Sequence, residues 1–316
     1  MTYKNRLIFL LSLIAGLSLL YAGSFIFSPQ RINTRSASHT WLDPKLTGRV
    51  TKIAVDSETQ NVELLKKNDT WFVIQNGNEY PARKTRVEDF INLLSTRAPW
   101  PVRSTSASSH ERLGLEAHTA LRVTLYGENT VLLDLLLGDT DISGLEIYAR
   151  EYSKDEVRSG ENRVTTYITG PAIAWYNLRL IPESEDGALD VESVQRLSVY
   201  NGEENQIFSR RNRDWDISGI YVEDPAQDSI ENYIRNILNV EGDNFADLIS
   251  SSDPVFNHSR IILEFGNGRV ITLRFSEPDE DGRRLASVSG SDYVYSIPAW
   301  VSQRLFRDAD SFERQN

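Results

Sequence analysis

The chain contains no cysteine, one methionine and only four histidines. The lack of cysteine excludes disulfide bonds, thiolate metal sites, a cysteine nucleophile and a lipid-modified cysteine. Basic residues are fewer than acidic ones, 34 against 45, which gives a formal net charge of −11 over 316 residues. A chain that binds nucleic acid over its whole surface normally has the opposite sign. With 40% hydrophobic and 25% charged residues, the composition is that of a folded protein and excludes a wholly disordered or polytopic membrane chain.

Long hydrophobic runs are rare, but one lies near the N-terminus, where residues 7–27 include no charged side chain. A helix over this run is about 30 Å long, which is the hydrocarbon thickness of a bilayer. Lys4 and Arg6 precede it and favour a cytoplasmic N-terminus. We therefore predict a single-pass anchor in a bacterial inner membrane, with the bulk of the chain in the periplasm. The apolar anchor residues include Leu7, Leu10, Leu13, Leu17, Leu20 and Phe27.

Two other interpretations of this run stay open. Ala22-Gly23-Ser24 fits the small-residue rule for a cleaved signal peptide. Phe25-Ile26-Phe27 continues the apolar run past that site, which favours an uncleaved anchor. The run could also be a buried helix of a soluble domain, but it lacks the polar stripe typical of one.

From about residue 46 onward the sequence shows short alternating runs typical of strands, and their order repeats. Trp71 and Trp215 stand 144 residues apart, each in a predicted strand that precedes a predicted helix. The apolar helix positions are Val87, Phe90, Ile91 and Leu94 in the first copy, and Ile230, Tyr233, Ile234 and Ile237 in the second. We predict two tandem copies of an α+β domain, each a mainly antiparallel sheet with covering helices.

Further details of the two predicted copies match as well. They are the capping boxes Thr85 with Glu88 and Asp228 with Glu231, the strands 121–127 and 260–266, and the short closing helices opened by Pro171 and Pro298. The predicted organisation is a cytoplasmic tail (1–6), the anchor (7–27), a linker (28–45), the first repeat (46–181), the second repeat (188–307) and a polar tail (308–316).

Three short motifs of the first copy carry a family resemblance: Leu113-Gly114-Leu115, the Leu-Leu-Leu-Gly run at 135–138, and Tyr148-Ala149-Arg150. Together with the anchor, Trp71 and the helix near Val87, they make the chain similar to the bacterial domain-of-unknown-function 4340 (DUF4340) family. The second copy departs from these motifs, with Leu285-Ala286-Ser287 and Ser276 at the corresponding places.

The resemblance implies a membrane-anchored protein that is often encoded beside ABC-type transport proteins of the gliding-motility kind. It implies no established enzymatic activity, so it supplies no functional residues. The partner it implies is a membrane protein, an ABC-type transporter component.

Motifs for catalysis or metal binding are missing from the sequence. The four histidines, His39, His110, His118 and His258, fit no zinc-ligand spacing. The serine-rich run 287–291 lacks the glycine-flanked elbow of a nucleophile, although a triad from distant residues stays open. Asp139 and Asp141 begin a calcium-loop pattern that fails at Arg150, where a carboxylate is needed. We therefore predict no catalytic, cofactor or metal residues and no enzymatic activity.

One charged feature recurs in both copies. Lys66 and Lys67 stand 144 residues before Arg210 and Arg211, each pair at a predicted turn between two strands. In a chain of net charge −11, these basic tips are candidate contacts for anionic headgroups or a partner. Ordinary solvated hairpin turns are the alternative.

The sequence supports two hypotheses about function. The first is a membrane-anchored periplasmic accessory protein of an ABC-type transport or envelope complex, from which the sequence does not separate a purely structural spacer. The second is an anchored small-ligand binder or hydrolase that uses a cleft between the two repeats.

Overall fold

The computed structural model describes residues 37–56, 61–128, 130–182 and 189–314. The chain divides into two compact units, Met1–Asn177 and Leu178–Asn316. The predicted anchor at 7–27, including the six apolar residues named above, lies outside the described residues. Among the helices of the described part, none has the length and apolar character needed to span a bilayer.

The first unit is a nine-stranded antiparallel sheet with helices, as far as the chain is described. Its strands are β1 (Ser38–His39), β2 (Lys52–Asp56), β3 (Asn61–Lys67), β4 (Thr70–Gln75), β5 (Asn78–Pro81), β6 (Ala98–Pro99), β7 (Val102–Ser104), β8 (Leu121–Tyr126), β9 (Val131–Thr140), β10 (Glu146–Glu151) and β11 (Val157–Glu161), of which β1 and β6 form a separate pair. Its helices are α1 (Lys84–Ser95) and the single turn α2 (Thr165–Ile168). The apolar residues predicted for α1 are its buried face, as the helical spacing required.

The second unit contains an eight-stranded antiparallel sheet within the described residues. Its strands are β12 (Val194–Asn201), β13 (Glu204–Arg211), β14 (Asp214–Ser218), β15 (Asn244–Phe245), β16 (Ser259–Phe265), β17 (Val270–Phe275), β18 (Arg284–Val288) and β19 (Val294–Ile297), and its helices are α3 (Gln227–Leu238) and α4 (Ala299–Leu305). All four predicted apolar positions of α3 are buried. The predicted α+β class with mainly antiparallel sheets is confirmed.

The two sheets have the same strand order. In the first unit the order is β5-β4-β3-β2-β8-β9-β10-β11-β7, and in the second it is β14-β13-β12-β16-β17-β18-β19-β15. Each strand of the second sheet therefore has a counterpart in the first, and β5 alone has none. Trp71 and Trp215 lie in the counterpart strands β4 and β14, and both are buried.

Strand register corrects one predicted correspondence by a single residue. Val55 pairs with Val123, while Val199 pairs with Ile261, so residue 123 corresponds to 261 and not to 262. Because side chains alternate between faces, the predicted offset would have placed Ile262 in the core, whereas Ile261 is the buried residue.

The correspondence predicted between 148–150 and 285–287 agrees with the strand pairing. Ala149 pairs with Leu137, and Ala286 pairs with Phe275. Gly138 lies within β9, which continues to Thr140 before the chain turns.

Both predicted capping boxes are wrong. The helix α1 begins at Lys84 after Arg83, and α3 begins at Gln227 after Ala226, so neither has a side-chain cap. The Gln227 side chain instead exchanges two hydrogen bonds with the backbone of Trp215, which fastens the start of α3 to β14.

The C-terminal residues 309–314 are a packed part of the second unit, although the sequence suggested a polar tail. A short 3-10 helix, Ala309–Phe312, places the fully buried Phe312 against Phe208 and Tyr233, with ring centroids 5.1 Å from each. The counterpart in the first unit is the 3-10 helix Ala172–Trp175, which ends in the fully buried Trp175.

The backbone confirms this counterpart relation. Arg83 N–H donates to the Trp175 carbonyl, and Ala226 N–H donates to the Phe312 carbonyl. Pro171 therefore corresponds to the residue before Ala309, and not to Pro298 as predicted. Pro298 opens the earlier helix α4.

Replacing Phe312 with alanine tests whether the C-terminal residues close the second core. Phe312→Ala leaves a cavity beside two aromatic rings, so we expect a loss of about 3 to 5 kcal/mol in the free energy of unfolding of the second unit. Denaturant unfolding of the full chain measures it. Trp300→Ala removes a side chain that is 61% exposed and should change stability by less than about 0.5 kcal/mol; equal effects of the two changes would contradict the packing.

Candidate functional site

A cavity of about 1,070 Å³ lies within the first unit, between α1, the segment of β6 and β7, and the strands β9 to β11. Its volume is at the upper end of the range of about 300 to 1,000 Å³ that is typical of small-molecule sites. The lining is mainly apolar and includes Trp41, Leu93, Trp100, Leu135, Leu137 and Val164.

Glycine at position 160 is required for one wall of this cavity. A Cβ atom on Gly160 would lie 2.4 Å from the indole of Trp100, so only glycine lets that ring lie directly on β11. The indole of Trp41 meets Trp100 edge to face, with centroids 5.1 Å apart. By strand register, the second unit has the fully buried Ile297 at the position of Gly160, which leaves no place there for a tryptophan ring.

Three polar side chains stand at the edge of the cavity and bond to one another. Arg103 donates to the Ser159 hydroxyl at 2.6 Å and to the Glu146 carboxylate at 2.8 Å, and Ser159 donates to the same carboxylate at 2.5 Å. These hydrogen bonds, from Ser159 first and then Arg103, hold the pKa of Glu146 below its ordinary value. Ser159 is fully buried, and the lowered pKa of Glu146 makes that carboxylate a weak base, so the group is suited to holding strands together.

The second unit has the same arrangement with its charges exchanged. Arg283 stands at the register position of Glu146, and Ser296 at that of Ser159. Arg283 donates to Ser296 at 2.8 Å and forms an ion pair with Asp243, which raises the pKa of Arg283. In the first unit the acidic Glu146 is on the sheet and the basic Arg103 is on the segment after the helix. In the second unit the basic Arg283 is on the sheet and the acidic Asp243 is on that segment. Either polarity fastens that segment to the sheet.

The three motifs that carry the family resemblance meet at β9. Gly138 of β9 lies so close to the loop 113–115 that a Cβ atom would be 2.1 Å from the Leu113 carbonyl. Leu115 and Leu136 belong to one buried apolar cluster, against which Leu113 and Tyr148 pack. Glycine is required here because backbone approaches backbone directly.

Arg150, the last residue of these motifs, is a buried hydrogen-bond donor to several backbone carbonyls. Its side chain donates to the carbonyls of Leu115 at 3.1 Å, Tyr152 at 2.8 Å and Lys154 at 3.1 Å. Burial lowers the pKa of Arg150, but a guanidinium still keeps its proton in a protein. The residue thus joins two loops, and the second unit has Ser287 at the corresponding strand position.

A family described as a domain of unknown function (DUF4340) matches residues 71–257. This is more than half of the chain. The chain belongs to the DUF4340 family. No curated protein matches it, and no solved structure matches it. The DUF4340 match begins in β4 and ends just before β16, so it takes in the three motifs and most of the cavity lining.

Three of the four histidines that the sequence singled out in this DUF4340 chain have separate partners, and the fourth, His39, packs edge to face against Trp41. His110 contacts the Asp155 carbonyl at 3.1 Å, His118 is 3.5 Å from Glu116, and His258 is 3.2 Å from Glu277. Across the described ranges, no group of three or more His, Asp or Glu side chains is arranged to hold a metal ion. The serine run lies in a turn after β18, where the Ser289 hydroxyl accepts from the Thr272 N–H.

Asp141 and its neighbours form a tight turn. Its carboxylate accepts from the Glu146 N–H at 3.0 Å and from the Ser143 hydroxyl at 2.7 Å, and these hydrogen bonds lower its pKa. Asp141 thus belongs to the turn between β9 and β10, whereas Asp139 lies in β9 before that turn.

The basic residues of the first unit lie at the end of β3, paired with β4. Lys66 forms an ion pair with Asp69 at 2.7 Å, and Lys67 forms one with Glu79. Their charges are therefore partly neutralised within the hairpin.

The basic residues of the second unit occupy the corresponding place on β13. Arg210 donates to the Val191 carbonyl at 2.9 Å and stacks over Trp215, whereas Arg211 pairs with Asp216 at 2.7 Å. The Arg211 side chain is 81% exposed, so it presents the more accessible charge of the two.

The lowered pKa of Glu146 gives a pH dependence. Its ion pair stabilises the folded state above the ordinary glutamate value of 4.5, and this contribution is lost as the pH falls through the lower pKa of the folded state. We expect Glu146→Gln to make the melting temperature fall less steeply below pH 4.5 than in the wild type. Glu161→Gln, which changes a carboxylate 3.9 Å from Arg163 and 73% exposed, should keep the wild-type slope. An unchanged slope in Glu146→Gln would contradict the assignment.

The junction made by Arg150 is tested by Arg150→Met. This change leaves buried carbonyls without a donor, at about 1 to 3 kcal/mol for each, so we expect the first unit to lose about 3 kcal/mol of unfolding free energy. Denaturant unfolding followed by tryptophan fluorescence measures this loss. Arg112→Met, at an exposed position of the adjacent loop, is the matched control, and a loss of similar size there would argue against a specific role of Arg150.

Proposed function

We propose that this chain is a membrane-anchored accessory protein that works by binding, with its two units in the periplasm beside an inner-membrane partner. The observation that carries the proposal is the chemistry of the cavity in the first unit. Its walls are apolar, and the polar side chains Arg103, Glu146 and Ser159 at its edge are bonded to one another. Such a site offers a surface for binding, because its hydroxyl and its carboxylate already have partners.

The anchor and the partner are inferred from the N-terminal sequence and from family membership. The uncharged run 7–27 fits one bilayer span, and the basic residues before it favour export of the chain beyond residue 27. The family resemblance implies an accessory component of an ABC-type transport system, and we propose a transporter component of that kind as the partner. An anchored domain acts at high local concentration, so a weak docking surface is sufficient.

We further propose that the two units are copies of one α+β domain. Their equal strand order, the exchanged ion pair and the aromatic plugs Trp175 and Phe312 support a duplication. The copies then diverged. In the first unit Gly160 leaves room for the ring of Trp100, which forms part of the cavity wall, whereas in the second unit the buried Ile297 occupies the corresponding position.

The basic strand ends are our candidate contacts for the partner. Of the two second-unit residues, Arg211 has the more exposed side chain, while Arg210 is held against Trp215. Lys66 and Lys67 are the counterparts in the first unit. All four side chains already pair with a carboxylate or a carbonyl of this chain. Because their charges are partly neutralised, we expect them to attract a partner only at short range.

A small-ligand binder is the second candidate function, and the volume of the cavity favours it. In this second candidate function, the ligand site is the cavity inside the first unit. The hydrolase version of the hypothesis gains no support from Ser159, because this residue is fully buried and the lowered pKa of Glu146 makes that carboxylate a weak base.

The proposal is tested by purifying the full chain, with residues 1–36 intact, from reversibly crosslinked membranes. We expect a transporter subunit to be enriched at least tenfold over a version whose run 7–27 is replaced by a cleavable export signal. Arg211→Glu should reduce this enrichment, whereas Arg213→Glu, an exposed residue in the adjoining turn, should not.

A reporter fused after Asn316 provides the topology control. It should be active only if it is of the kind that works in the periplasm. Activity of a cytoplasmic reporter at that place, or the lack of any membrane protein enriched over the cleavable version, would contradict the proposal.

A further inference from the structure

We propose that the cavity of the first unit binds an acyl chain of a bilayer phospholipid, with the lipid headgroup at the charged rim. The inference rests on the proposed function only in that the anchor keeps the cavity near the membrane. It adds a ligand class that the accessory role does not require.

The lining suits a flexible hydrocarbon chain. Apolar side chains, including those of proline and alanine, form most of the wall, and α1 contributes Leu93 and Leu94. Burial of a methylene group stabilises binding by about 0.8 kcal/mol, so an acyl chain gains more from this wall than a polar metabolite does.

Two tryptophan rings belong to the wall. Trp41 and Trp100 line the cavity and are 9% and 8% exposed. The indole nitrogen of Trp41 is buried, so this ring offers carbon atoms to the cavity. A hydrocarbon chain contacts such a surface favourably.

The mouth of the cavity has the properties of a membrane-facing edge. Leu145 and Val102 line it and are 72% and 45% exposed, and Ile142, in the same turn as Leu145, is fully exposed. Apolar side chains grouped at one exposed edge mark an interaction surface. Two rim ion pairs, one of them joining Arg163 and Glu161, carry both signs of charge and so match a zwitterionic headgroup.

The chain itself limits the distance between cavity and bilayer. Ala37 is the first described residue and lines the cavity. Phe27, the end of the predicted span, precedes it by ten residues, which reach at most about 36 Å. The predicted anchor therefore keeps this mouth close to the membrane surface, and a bilayer lipid is the amphiphile at highest concentration there.

Tryptophan quenching by a brominated lipid tests the proposal on the full chain. The protein is placed in vesicles of a zwitterionic phosphatidylcholine with a dibrominated acyl chain, and its fluorescence is compared with that in the unbrominated lipid. We expect bromine-dependent quenching, most of which disappears in the double variant Trp41→Phe/Trp100→Phe.

Two matched pairs of variants show whether the cavity is responsible. Leu93→Glu places a carboxylate on the wall and should remove at least half of the quenching, whereas Asn92→Glu, the next residue of α1 and exposed, should keep it. Leu145→Glu and Leu248→Glu form the second pair, both at exposed positions that folding tolerates, with loss expected only for Leu145→Glu. Circular dichroism confirms that each variant is folded.

Equal quenching within both pairs, or quenching that persists in the double tryptophan variant, would overturn the inference. So would native mass spectrometry that finds a peptide of a partner protein, and no lipid, bound to the first unit. If the quenching experiment gives no sign of lipid in the cavity while the transporter subunit is still captured, only this inference is wrong. If lipid is bound but no partner is captured, the proposed function is wrong and the lipid site stands.

Discussion

The pairing of β2 with β8, and of β12 with β16, is the constraint on which each unit depends. These strands are distant in the chain, and the helix α1 or α3 lies between them in sequence. Pairing Ile53 with Leu125 and Val55 with Val123 joins the early hairpins to the later meander in one register. A shift by one residue would turn the apolar side chains of the second meander away from the core. The helix and the segment after it are thereby held beside β9, β10 and β11.

The same constraint explains where the cavity lies. The segment after α1 has to return to the far edge of the sheet, because β7 pairs with β11. In the first unit this segment carries Trp100, which rests on Gly160, and the indole keeps the segment away from the strands beneath. In the second unit Ile297 occupies the matching place. The two units thus differ at one strand position: Gly160 of the first unit leaves room for the Trp100 ring, and Ile297 of the second unit occupies that space with its own side chain.

The polar edge is a feature that the two units share. Arg103 with Glu146 and Asp243 with Arg283 fasten the same two segments with opposite polarity, and Ser159 and Ser296 complete both groups. An ion pair of this kind depends on the attraction between its members and not on which strand holds the acid. This is why the sign of charge at either position says little about function. The asymmetric features, Arg150 and the cavity, are better indicators of what the first unit does.

The sequence by itself determined the class of fold, the two core helices and the buried tryptophans Trp71 and Trp215, because periodicity of apolar residues reflects burial directly. It also indicated the motifs around Leu115, Gly138 and Arg150, but not that they meet. Only the tertiary structure decided the register of β16, where a slip of one residue changes nothing in composition. The sequence suggested that residues 309–314 form a polar tail, because one phenylalanine among polar neighbours carries no periodic signal. Only the tertiary structure shows that these residues pack against the second core. The candidate site was beyond the sequence for a related reason: Trp41, Trp100 and Gly160 are far apart along the chain, and a cavity is a property of side chains that pairing of distant strands brings together.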